Sequence, residues 1–81
     1  MFEYIFTNNG PEVVINTENF CENIHDVKHE VLKHTPECLH RRSTYPNGFI
    51  IETEQYSEKI IIRTNWELSD NGDNTFSVIV P

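Results

Sequence analysis

The chain has no long apolar run, and none of its segments approaches the ~20 residues a helix needs to cross a bilayer. It is short of base, with six Lys and Arg against thirteen Asp and Glu and a net charge of −7. Nucleic-acid phosphate is normally bound through clustered Lys and Arg, so direct nucleic-acid binding is not expected. There are only two cysteines, Cys21 and Cys38, and no Cys-x-x-Cys. The N-terminus lacks the basic start of a secretory signal, since Met1 leads straight into the strand-like Phe2-Glu3-Tyr4-Ile5-Phe6. The expected location is therefore cytoplasmic with reduced thiols, and a Cys21–Cys38 disulfide is the alternative in an oxidising compartment. Linkers, repeats, low-complexity tracts and catalytic signatures are also missing.

What is present is one small domain of 81 residues. A chain of this size buries about 60% of the surface its unfolded form exposes, which leaves little room for a deep pocket and favours a protein that acts through its surface. Its charge is unevenly spread. Residues 1–24 carry Glu3, Glu12, Glu18 and Glu22 and no base, and residues 48–81 carry six acids against Lys59 and Arg63. Between them, residues 25–47 hold Lys28, Lys33, Arg41, Arg42 and all four histidines against three acids. Near pH 6 those histidines add positive charge to the same segment.

The pattern reads as β-β-α-β-β-β. This is an α+β domain in which one amphipathic helix covers one face of a five-stranded, mainly antiparallel sheet. Strands are expected over 2–7 and 12–16, joined as a hairpin by Asn8-Asn9-Gly10-Pro11. That hairpin sets Phe6 opposite Val13, Tyr4 opposite Ile15 and Ile5 opposite Val14. A helix is expected over 19–34, capped by Asn19 with Glu22 or, alternatively, by Thr17. Its stripe of Phe20, Ile24, Val27 and Val31 also takes in His34, with Cys21 and Leu32 at its flanks. Pro36 stops it, and residues 35–47 form a long loop.

A three-strand meander over 48–55, 59–69 and 74–80 completes the sheet. In its middle strand Ile60, Ile62, Thr64, Trp66 and Leu68 face one way. An even first loop sets Glu52 opposite Arg63, and an odd second loop such as 71–73 sets Trp66 opposite Val78 and Leu68 opposite Phe76. In strand-sequence order, the sheet is either 2-1-3-4-5 or 2-1-5-4-3. The second resembles a β-grasp arrangement in outline, with no motif behind it.

Four features bear on function. The sheet face away from the helix carries Ile5, Val14, Ile50, Ile61 and Ile79 among Glu3, Glu52, Glu54, Arg63, Asn65 and Glu67. An apolar cluster rimmed by acids has the composition of a partner-binding surface, although isolated Ile and Val are also ordinary strand formers. Cys21, His25, His29, His34, Cys38 and His40 gather potential zinc ligands, of which Cys21, His25, Cys38 and His40 make the best set of four. Packed side chains explain His34 and Cys21 equally well. His40, Arg41, Arg42 and Tyr45 in the loop offer a phosphate-binding or acid–base group, as in a small phosphate-ester hydrolase, against the reading of a solvated connection. Glu52 with Glu54, and Asp70 with Asp73, lie beside Arg63 or in a turn and receive no catalytic role.

The expected function is a non-enzymatic protein-binding module without cofactor, which takes a protein partner with a basic surface and binds neither nucleic acid nor membrane. A symmetric homodimer is the second use of such a face. In size and charge the chain is similar to small phage-encoded inhibitors of larger, nucleic-acid-handling proteins, which implies an inhibitor or antagonist.

Overall fold

The computed structural model describes residues 1–10, 12–17 and 24–81. These build eight strands: β1 Phe2–Thr7, β2 Val14–Asn16, β3 Lys28–His34, β4 Leu39–Thr44, β5 Ile50–Gln55, β6 Lys59–Thr64, β7 Leu68–Asp70 and β8 Thr75–Val78. Five of them form a sheet in the order β1-β6-β5-β4-β3, and the other three form a second sheet in the order β2-β8-β7. The only helical segment among the described residues is a single 3₁₀ turn, Ile24–Asp26. The expected α+β architecture, with a helix packed on one sheet, is therefore replaced by two packed sheets.

Over its described part, 24–34, the expected helix gives way to a 3₁₀ turn and a strand. Asn19, Phe20, Cys21 and Glu22 lie outside the described residues, but Lys28–His34 pairs antiparallel with β4 from Lys28 opposite Thr44 to His34 opposite Leu39. Of the supposed apolar stripe, Val27 is buried, whereas Val31 is 64% exposed and His34 is exposed. Pro36, read as a helix stop, is instead a hairpin corner. Thr35 and Cys38 exchange backbone hydrogen bonds across Pro36-Glu37, and the Thr35 hydroxyl accepts a further bond from the Cys38 amide. Proline presets φ for the first corner of such a turn. Neither corner residue has a positive φ, so the turn is not of the kind whose twist matches its strands. The register slips between Val31 and Lys33, leaving Leu32 as an extra residue in β3.

The loop expected over 35–47 is mostly β4. It is bounded by a second hairpin in which Tyr45 accepts from Gly48 and donates to Phe49. Gly48 there has φ 95°, open to glycine at little cost.

The other end of the sheet departs from expectation as well. β1 makes no hairpin with β2 and lies instead against β6, with Tyr4 opposite Ile62 and Phe6 opposite Ile60. The pairs expected across Asn8–Pro11 are absent, and neither of the two expected strand orders, including the β-grasp outline, is realised. β2 runs parallel to β8, with Ile15 opposite Phe76.

The long strand expected over 59–69 is broken at Asn65–Glu67 into β6 and β7, which belong to different sheets. Asn65 ends the ladder with its own side chain, accepting from the Ile50 amide (2.8 Å) and donating to the Gly48 carbonyl (2.8 Å). The hydroxyl of fully buried Thr64 donates to the Trp66 carbonyl at 2.6 Å. This bend folds Trp66 over Phe49, with ring centroids 5.7 Å apart. In the last hairpin the two strands keep the expected faces but slip by two residues, so that Leu68 meets Val78 and Asp70 meets Phe76. Gly72 (φ 84°) and Asn74 (φ 65°) supply the left-handed positions of that longer turn.

The core lies where the small sheet covers the β1–β6 side of the large one. Phe49, Ile62, Thr64, Leu68 and Phe76 are buried there, and Phe49 and Thr64 are inaccessible. The Phe6 and Phe76 rings meet edge-on at 5.4 Å, a favoured aromatic geometry. The Tyr4 hydroxyl accepts a 2.9 Å bond from the Leu68 amide. Toward β3 the same face of the large sheet opens to solvent, and Val31 and Arg41 are exposed on it.

Candidate interaction surface

Strand alternation and the observed registers determine which side chains share the outer face of the large sheet. Glu3 of β1 lies opposite Arg63 of β6, which lies opposite Glu52 of β5. Glu52 in turn lies opposite Arg42 of β4, and Arg42 opposite Glu30 of β3. One row of charges alternating in sign thus crosses all five strands. The neighbouring row runs from Ile5 through Ile61 and Glu54 to His40. Ile50 stands on the same face opposite Thr44. The expected Glu52–Arg63 register is observed.

The ion pairs in this lattice are partly diagonal. Arg63 donates to Glu3 at 2.8 Å and to Glu54, so its guanidinium bridges β1 and β5. Arg42 donates to Glu52 at 2.8 Å. His40 Nε2 is 3.6 Å from Glu52 and makes no hydrogen bond. The Tyr56 hydroxyl donates to Glu54 at 3.1 Å.

These contacts move the titrations in predictable directions. Hydrogen bonding from Arg63, helped by Tyr56, holds the Glu54 carboxyl below the usual range, and Glu54 with Glu3 raises Arg63. Hydrogen bonds to Cys38 and Glu54 push the Tyr56 phenol up to about 12. Exposed pairs of this kind each add only about 0–1 kcal/mol to stability. Their main effect is to hold charged groups at set positions on a rigid sheet.

The residues singled out from sequence distribute over this fold as follows. Ile5, Ile50, Ile61, Glu52, Glu54 and Arg63 share the outer face. Val14 and Ile79 do not, because Val14 belongs to β2 and the Ile79 amide bonds to Glu67 in the smaller sheet's ladder. Asn65 is committed to ending β6, and Glu67 is the last residue of the break, its carbonyl accepting from the Ile79 amide. His40 and Arg42 point outward, whereas Arg41 emerges on the opposite face. Tyr45 packs against Phe49 at 5.5 Å and donates to Thr17. These four side chains therefore converge on no common point.

Of the proposed metal ligands, Cys21 lies outside the described residues, His25 is exposed, and Cys38 is a buried free thiol. Among the described residues no three His, Cys, Asp or Glu side chains are grouped to hold a metal ion. Among the same residues no helix is long and apolar enough to cross a membrane.

Arg42 and Glu30 were missed as members of the outer face because their segments read as loop and helix. The signal was present in Tyr45-Pro46-Asn47-Gly48, whose Pro-Asn-Gly order suits a hairpin that ends in a left-handed glycine. Comparison with protein-family models, curated proteins and solved structures finds no match to this chain.

Proposed function

We propose that this chain is a non-enzymatic protein-binding module that works through the outer face of its five-stranded sheet. The observation that carries the reading is Ile5. It is 61% exposed on that face, opposite Ile61 and next to the row of charges that starts at Glu3. An apolar side chain projecting among ordered charges supplies a small hot spot with a fixed electrostatic pattern around it. Because the charges are already held in place, a partner loses less side-chain entropy on docking than against a mobile surface. Carboxylates outnumber guanidinium groups in the row, and the chain as a whole is acidic, so the fitting partner presents a basic rim around an apolar pocket. An inhibitor or antagonist of a larger protein with a basic site has this form.

The test is affinity capture from the native host, followed by calorimetry with the purified partner. Ile5→Glu is expected to weaken binding at least tenfold, with far-UV circular dichroism and melting temperature unchanged. Equal affinity of the variant, or the lack of a stoichiometric partner, overturns the reading. A wild-type dimer that Ile5→Glu dissociates in sedimentation equilibrium overturns it in favour of a homodimer seam.

A further inference from the structure

We infer that β3 is a receiving edge for an extended segment of a partner protein, one that alternates acidic and apolar side chains and adds to the sheet as a sixth strand. β3 closes the five-stranded sheet on one side, and among the described residues no strand pairs with its outward edge. It is seven residues long, with Lys28–Val31 a regular run ahead of the extra residue at Leu32. Free edges of this kind are templates for strand addition, in which backbone bonds supply affinity and alternate side chains supply selectivity.

The side chains along β3 define the occupant. Lys28 and Lys33 lie on the outer face, opposite Thr44 and His40, with Glu30 between them. His29 and Val31 lie on the other face, opposite Ser43 and Arg41. That second face opens into a shallow groove lined in part by His29, Val31, Arg41, Ser43, Ile51 and Thr53, with Glu30 and Arg42 also reaching it. His29 is held there by a 2.8 Å hydrogen bond between its Nδ1 and the Ser43 hydroxyl.

An added strand would therefore set one row of side chains beside two lysines and the other beside Val31. Opposite charges across neighbouring strands are favourable and like charges are not. This selects carboxylates for the first row and an apolar side chain for the second. Among the described residues exposed Arg41, one strand further in, makes no ion pair, and it favours the same sign. In a chain of net charge −7, β3 and Arg41 together form a locally basic strip.

A second copy of this chain fits less well. β3 paired with β3 brings lysines and histidines against lysines and histidines. The β3 edge and the Ile5 surface lie on opposite margins of the sheet, so the two readings stand or fall separately.

The experiment titrates the ¹⁵N-labelled protein with two capped seven-residue peptides. One alternates Glu with Val and the other alternates Lys with Val. The expected result is amide shifts concentrated in 28–34 and β4, affinity for the Glu peptide at least tenfold above the Lys peptide, and weakening as salt is raised. Lys28→Glu with Lys33→Glu should reverse the preference, and Glu30→Lys alone should strengthen Glu-peptide binding severalfold. Ile5→Glu should leave it unchanged. The proposal is overturned by the absence of shifts at millimolar peptide, by shifts mapping elsewhere, or by equal binding of the two peptides. Shifts in 28–34 that appear on concentrating the protein alone also overturn it, because they identify a second copy as the occupant.

Discussion

The two sheets are built on different terms. From β3 to β6 the large sheet is a meander in which each strand pairs with the next through a short turn, so most of its ladder forms between near neighbours in sequence. The small sheet joins β2 to β8 in parallel, across almost the whole chain, and uses strands of only three or four residues. Closing so long a loop costs entropy before any contact repays it. The small sheet therefore depends on what it covers. Leu68 and Phe76 are buried against the β1–β6 side, whereas its own outer face leaves Val14 and Ile79 exposed beside side-chain hydrogen bonds among Asn71, Thr75 and Ser77. The large sheet is the platform, and the small one is a lid whose burial makes both stable.

The strongest test of that dependence is Phe49→Ala. Phe49 is inaccessible, lies beside the crossover and stacks with both Trp66 and Tyr45. Truncating a buried Phe costs about 3–5 kcal/mol, a large share of the roughly 4–12 kcal/mol available to a domain of this size. Urea unfolding should show that loss as one transition reported alike by Trp66 fluorescence and circular dichroism. Two separate transitions would break the picture of a platform and its lid.

A smaller effect is expected at the bend itself. Thr64→Val keeps the volume but removes the hydroxyl that donates to the Trp66 carbonyl, at a cost of about 1–3 kcal/mol. A variant as stable as wild type would mean that the bend is held by packing alone.

The smallest effect separates the sheets by acid. Arg63 lowers Glu54 in the large sheet, and hydrogen bonds from Thr75 lower Asp73 in the turn of the small one. A carboxyl depressed in the folded state contributes stability above its unfolded value, near 4.5 for Glu54 and 3.8 for Asp73, and loses it as pH falls through the folded value. Stability should therefore be level with respect to these two groups from pH 7 to about 5 and decline below that. Arg63→Met should flatten the upper part of the decline, changing stability at pH 7 by less than about 1 kcal/mol, and Asp73→Asn should flatten the lower part. Urea midpoints measured from pH 7 to 2.5 would show it, and an unchanged slope in both variants would remove these carboxyls as its source.

Parts of this arrangement were legible before the fold. The alternation of Ile60, Ile62 and Thr64, and the placement of Glu52 across from Arg63, followed from side-chain period and turn parity. The Ile5–Ile61 surface followed from the same parity, even though β1 found a different partner. The 24–34 segment misled because Val27 and Val31 fit a helical stripe by spacing alone, and the hairpin at Pro36-Glu37 that makes them a strand is read as a helix stop in isolation. His40, Arg41 and Arg42 read as loop because charges on both faces hide the alternation. Their strand becomes favourable once Arg42 meets Glu52 across the ladder.

The sequence by itself thus determined which residues of β1, β5 and β6 share a face, how the β5–β6 hairpin is registered, and the acidic character of the chain. These are properties of two-residue periodicity, local turns and composition. Only the tertiary structure decided that β1 lies on β6, that β2 and β8 run parallel, and that the chain leaves the large sheet at Asn65. Those choices depend on which distant edges, brought together, bury Phe49, Leu68 and Phe76. No local window of the chain contains that comparison.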